Sequence, residues 1–194
     1  MNTADKSQFL NKMREQAKLG GGEARIQKQH DKGRLVVRER INYLIDDDSS
    51  FLEIGIFHGA GSLSMSQAVD ENGGGEVHLV DISKEFLQDV SKKIENKKWK
   101  VKIFQHHLNT NGENDVINFP ETDVLFIDAC HTYEAVKNDL KKYQPLVSKG
   151  GFLILHDTVF HPGPRRVALE MFENGFKGCS ITTSQGSGVT IFQC

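Results

Sequence analysis

Glu53-Ile54-Gly55-Ile56-Phe57-His58-Gly59-Ala60-Gly61-Ser62 is the stretch that decides the fold. The apolar run FLEIGIF at 51–57 reads as a strand, the glycines that follow read as a turn, and 62–69 reads as the next helix. Glycine tolerates positive φ and carries no Cβ, so backbone here can approach a ligand closely. Working outward, short apolar runs alternate with amphipathic segments. Strands are expected at GEVHLVDIS (75–83), VKIFQHH (101–107), TDVLFIDA (122–129) and GGFLILHD (150–157), with a closing antiparallel pair at CSITT (179–183) and GVTIF (188–192). Between them, Phe86, Val90 and Ile94 mark a helix with Ser83 as N-cap. Val136, Leu140 and Tyr143 mark another with Thr132 as N-cap, and Pro164 to Asn174-Gly175 spans a third. This β-α alternation predicts an open, mostly parallel sheet with helices on both faces. Ligands of such sheets bind outside the carboxyl ends of the strands.

Composition narrows the class. The chain has 194 residues, 38% hydrophobic and 26% charged, with a net charge of −2. That is a globular balance and not that of a general polyanion binder, so no nucleic-acid partner is expected. The basic cluster Lys97-Lys98-Trp99-Lys100 reads as a solvated helix end. No apolar run reaches the ~20 residues of a membrane span, and MNTADKSQFLNKM has no apolar signal core. Cys130, Cys179 and Cys194 lack metal-ligand spacing and read as free thiols of a cytoplasmic protein.

Asp81 ends the second strand, 26 residues after Gly55. A carboxylate there can accept both hydroxyls of a ribose, so bend and acid together predict a nucleoside site. A dinucleotide fingerprint needs G-x-G-x-x-G, and Ser64 stands where the third glycine belongs, which counts against a nicotinamide-dependent oxidoreductase. Glu53 adds a negative charge that opposes a pyrophosphate and suits a cationic, amino-acid-bearing nucleoside.

EIGIFHGAGS, HLVDIS, VLFIDACHTYEAV and GGFLILHDT resemble the motif series of class I S-adenosylmethionine (SAM)-dependent methyltransferases, and within them the small-molecule O-methyltransferase-like group. The resemblance covers about 50–194. It implies a Rossmann-like seven-stranded sheet with a reversed last strand, SAM as cofactor and methyl transfer to the oxygen of a small-molecule acceptor. It also implies that Gly55 and Gly59 line the amino-acid end of SAM with Glu53 supporting the loop, that Asp81 holds the ribose and that Ile82 touches the adenine. His107 occupies the position where the family usually has an acidic adenine-side residue. A SAM-binding module without catalysis is the alternative reading.

In such a fold Asp128, His131, His156 and Asp157 fall at adjacent strand ends. Carboxylates and imidazoles converging there can bind a divalent metal such as Mg through Asp128 and Asp157. Metal-dependent relatives carry an acid at the position of Asp128 and acid, then Asp or Asn, near 157–158; this chain has Thr158 there, and Ala129-Cys130 in place of the usual Gly-Asp. Without metal, His131 or His156 serves as general base. His30, His78, His106 and His161 belong to no evident constellation, with His58 a weak exception in the glycine loop.

Residues 1–49 differ in character and carry ten Lys/Arg and eight Asp/Glu within the first fifty positions. Phe9, Leu10, Met13 and Ala17, then Val37, Ile41, Leu44 and Ile45, repeat at helical spacing, with Gly20-Gly21-Gly22 between. The string at 18–51, with Gly20-Gly21-Gly22, Arg25-Ile26, Gln29-His30, Gly33 and Arg38-Glu39-Arg40-Ile41, resembles the N-terminal stretch of the carboxyltransferase β-subunit of acyl-CoA carboxylases. The expected organisation is a helical extension over 1–49, a lid or a docked arm, followed by a transferase domain over 50–194. An exposed helical stripe or a free edge strand offers a route to a homodimer. A carboxylase accessory role rests on the first fifty residues alone.

Overall fold

The structure, a computed structural model, describes residues 23–32, 49–112, 119–182 and 186–194. The chain divides into two units, Met1–Asp46 and Asp47–Cys194. In the first, Glu23–His30 forms a helix (α1). The two apolar stripes expected at 9–17 and 37–45 lie outside the described residues.

In the second unit the strands are β1 (Ser49–Ile54), β2 (Gly75–Asp81), β3 (Val101–His107), β4 (Thr122–Ile127), β5 (Val147–His156), β6 (Lys177–Ile181) and β7 (Val189–Gln193). The helices are α2 (Ala60–Glu71), α3 (Lys84–Glu95), α4 (Tyr133–Tyr143) and α5 (Pro162–Glu173). The sheet order is β3-β2-β1-β4-β5-β7-β6. β1 to β5 pair in parallel, and β7 runs antiparallel between β5 and β6. The chain winds outward from β1 to β3, then returns to place β4 against the other side of β1. The switch point of the sheet is therefore the gap between the ends of β1 and β4. β5 begins three residues before the expected run, and β6 is centred two residues earlier than CSITT, pairing Lys177 to Ile181 with β7.

Two apolar cores follow from strand alternation. Leu52 and Ile54 of β1, Val80, Leu125, Leu153 and Phe192 face α4 and α5 in one core. Phe51, Val77 and Leu79 face Leu87, Val90 and Ile94 of α3 in the other. The caps read from sequence are made: Ser83 Oγ accepts from Phe86 N at 3.2 Å, and Thr132 Oγ1 accepts from Ala135 N at 3.3 Å. His78 and His106, expected to be unrelated, stack on adjacent strands with Nδ1 and Nε2 3.1 Å apart. Burial lowers the pKa of both, that of His106 to about 4, which keeps the pair neutral.

Glu53 lies on the α3-facing side of β1, 1% exposed, beneath the first turn of α2. Ser62 Oγ donates to its Oε2 at 2.5 Å. Its other oxygen lies 2.5 Å from where a Cβ on Gly61 would be, so only glycine fits above it. Burial, the largest cause, raises its pKa to about 8 against the opposing pull of the Ser62 hydroxyl. The sequence reads Glu53 as a negative charge; the fold makes it a mostly protonated strut at neutral pH.

A buried acid with a raised folded pKa stabilises the protein while protonated, and that contribution is lost as pH rises between the unfolded value near 4.5 and the folded value of about 8. Glu53→Gln keeps an acceptor for Ser62 without the titration. Its stability relative to wild type in urea unfolding therefore grows from pH 5 to about 8 and then levels off; a difference independent of pH contradicts the assignment. Gly55→Ala sets a Cβ 2.5 Å from Asp128 O in a backbone at φ 85° and costs about 3 kcal/mol. Gly150→Ala, at φ 88° with open space around it, costs only about 1 kcal/mol in the same assay.

Candidate functional site

The strand ends at the switch point are stitched side by side. Gly55 N donates to Val80 O at 2.8 Å, and Asp128 N donates to Ile54 O at 2.8 Å. Asp81 then closes the glycine bend. Its Oδ2 accepts the N–H groups of Ile56 at 2.9 Å and Phe57 at 3.3 Å, and its Oδ1 accepts from Ser83 N at 2.7 Å. Phe57 is held at φ 46°, in the left-handed region a bulky residue rarely adopts. His58 packs against Phe57 and Phe86, with centroid distances of 4.0 and 5.0 Å, and the two phenyl rings meet edge-on at 5.3 Å.

A cleft of about 290 Å³ opens over this junction. Its walls come from Gly55, Phe57, Asp81, Ile82, the segment 108–111 after β3, and 128–130 after β4. Phe57 and Ile82 are 64% and 66% exposed, apolar surfaces left bare at the rim. Of the residues expected at a cofactor site, Gly55, Asp81, Ile82 and Asp128 line the cleft. Glu53, Gly59 and His107 stand outside the lining. Gly59, at φ 83°, makes room for Val90, and His107 Nε2 contacts Ile82 O at 2.9 Å. The polar run Asn109-Thr110-Asn111 lies in the lining without having been singled out; its only sequence signal is its place after a strand end.

Beyond the ends of β4 and β5, Asp128, His131, His156 and Asp157 converge; Asp128 lines the cleft and the other three stand outside its lining. His156 Nδ1 is 3.1 Å from Asp128 Oδ1 and 3.3 Å from Asp157 Oδ1. His131 Nε2 is 3.0 Å from Asp157 Oδ2 and 3.4 Å from Asp128 Oδ1. The short contact with the Asp128 carboxylate raises the pKa of His156, with burial opposing and the charges of Asp128 and Asp157 adding to the rise. Nδ1 of His156 is nevertheless buried without a well-directed hydrogen bond. Asp157 is 8% exposed and sits at φ 59°. That bend turns the chain so that His161 reaches back, its Nε2 3.8 Å from Asp157 Oδ2 and its ring stacked 4.2 Å from that of His131. His161 therefore belongs to the constellation, which sequence spacing does not reveal. Thr158 does not: it accepts from Thr190 Oγ1 at 2.9 Å and points into the β7 packing.

In a search of curated proteins, a Haloferax mediterranei propionyl-CoA carboxylase carboxyltransferase subunit is 51% identical over 47 residues, 24% of this chain and 9% of that protein. The chain spans about a tenth of the length of the curated relatives it matches. Among solved structures, the O-methyltransferase TomG from Streptomyces achromogenes, in complex with SAM, superposes with a TM-score of 0.60 at 17% identity, covering 87% of this chain and 86% of that one. An O-methyltransferase from Bacillus cereus gives 0.59 at 17% identity, covering 82% of each chain. At such identities these two show a shared fold. The methyltransferase domain, as a family, matches residues 52–158, from the middle of β1 through the His156-Asp157 bend. That match spans more than half of the chain and holds both the cleft and the acidic cluster, and the protein belongs to the methyltransferase-domain family.

Proposed function

We propose that the cleft binds SAM and that the cluster beside it directs the methyl group to an oxygen of a small-molecule acceptor. The observation that carries this reading is the hydrogen bonding of Asp81 to the glycine bend, which sets a carboxylate and two bare apolar side chains around one cavity. Three N–H groups occupy part of the Asp81 carboxylate, and its remaining lone pairs face ribose hydroxyls. Phe57 and Ile82 offer apolar faces to a base, and the segment 109–111 offers amide and hydroxyl groups to its edge. Asp128, a carboxylate in the lining, favours the positive amino-acid end. SAM, when bound, supplies a methyl group already activated by its sulfonium charge.

Acceptor activation falls to the four-residue cluster. His156, whose basicity Asp128 raises, takes the hydroxyl proton, and Asp157 and His131 hold the carboxylate side in place. Because the methyl donor is activated, in-line placement of the acceptor oxygen supplies much of the rate. The same donor set suits a divalent cation. One oxygen each from Asp128 and Asp157 and Nδ1 of His156 lie within 4.8 Å of one another, and Nδ1 lacks a directed partner. A metal held there would lower the pKa of the acceptor hydroxyl. The segment 1–49 is a separate part in this reading, supported by the division of the chain near residue 46.

Calorimetric titration of the full chain with SAM tests the reading. Saturable binding is expected, and Asp81→Ala weakens it by about tenfold or more, the worth of a hydrogen bond to a charged group. A folded protein that takes up no SAM contradicts the reading, and an unchanged affinity in Asp81→Ala removes the ribose role.

A further inference from the structure

Asp157 presents its two oxygens to different partners. Oδ1 faces His156, whereas Oδ2 faces His131 at 3.0 Å and His161 at 3.8 Å. The ligand atoms of His131, Asp157 and His161 all lie within 4.8 Å of one another. We propose that His131, Asp157 and His161 form a second metal site, one for a divalent transition ion of the zinc or iron(II) class, built on Oδ2 of Asp157 and adjoining the Asp128–His156 pair.

The composition selects the ion. Two imidazoles and one carboxylate form a donor set suited to zinc or non-haem iron, whereas magnesium and calcium prefer oxygen throughout. The distances are compatible. Ligand atoms on a tetrahedral ion with bonds of about 2.0–2.1 Å stand about 3.3 Å apart, and the two nitrogen–oxygen separations bracket that value. The carboxylate is buried while both imidazoles are part-exposed, which leaves an open coordination position toward solvent.

Backbone contacts bring these three together. His161 N donates to Asp157 O at 3.0 Å, closing the bend that Asp157 opens in its left-handed conformation. His161 is the N-cap residue of α5, yet its side chain caps nothing and is turned to Asp157. Two residues on, Gly163 lies so close to the 131–133 backbone that a Cβ would stand 2.7 Å from Tyr133 N. Absence of a side chain at Gly163 thus sets the two histidine-bearing loops against each other.

The site is tested with metal alone. The full chain is stripped with chelator and titrated with zinc(II) and magnesium by calorimetry, in a Cys130→Ser, Cys179→Ser, Cys194→Ser background so that the exposed thiols do not compete. Zinc is expected to bind at least about a hundredfold tighter than magnesium. His161→Ala and His131→Ala should each weaken zinc by about tenfold or more, and Asp128→Asn should leave it bound. Cooperative melting of metal-free His161→Ala should persist, so that weakened zinc binding reports a lost ligand and not a lost fold. Equal zinc affinity in His161→Ala and the parent overturns the proposal, as does zinc binding that disappears only with Asp128→Asn. Failure of SAM to bind to any of these proteins contradicts the methyl-transfer reading and leaves the metal result standing.

Discussion

Asp81 ties the cleft at the switch point together. Its carboxylate accepts from the backbone of residues 56 and 57 across the end of the sheet, so the turn after β1 and the end of β2 are held as one wall. Charge-assisted bonds of this kind are stronger than neutral ones, and they hold Phe57 in a conformation that its side chain would otherwise resist. The switch point supplies the rest of the frame. Parallel strands leave their carboxyl ends uncovered there, and ladder bonds fix Gly55 and Asp128 as neighbours.

From that frame the chemistry divides by environment. Glu53, inside the sheet–helix interface, is neutralised by burial and works as a hydrogen-bonded strut. Asp128 and Asp157, at the open strand ends, have imidazoles around them instead of apolar side chains. Carboxyl side chains are therefore packed as a neutral group within β1 and face imidazoles beyond the ends of β4 and β5.

The strands and caps were legible in the sequence because the local signals are strong: alternation or continuous apolar runs, Ser83 and Thr132 before periodic stripes, and glycines at the bend. Asp81, Asp128, His156 and Asp157 were legible because a parallel sheet gathers strand ends at one edge. The protonation of Glu53 was not, since burial is a tertiary property. Nor was the position of His161 beside Asp157 and His131, which depends on the left-handed turn at Asp157 and the close approach at Gly163. The departure at Thr158 acquires a structural reason only through Thr190, a partner 32 residues away on β7. His78 and His106 meet because β2 and β3 pair in one particular register.

The central claim is that the bend after Glu53 and the acid at 81 enclose one nucleoside cavity, open toward Asp128. A crystal structure of the full chain with S-adenosylhomocysteine tests it most directly. The account predicts ribose hydroxyls on the Asp81 carboxylate, the base between Phe57 and Ile82, and the sulfur directed toward Asp128. Ligand bound elsewhere, with Asp81 engaged only by backbone, would contradict it.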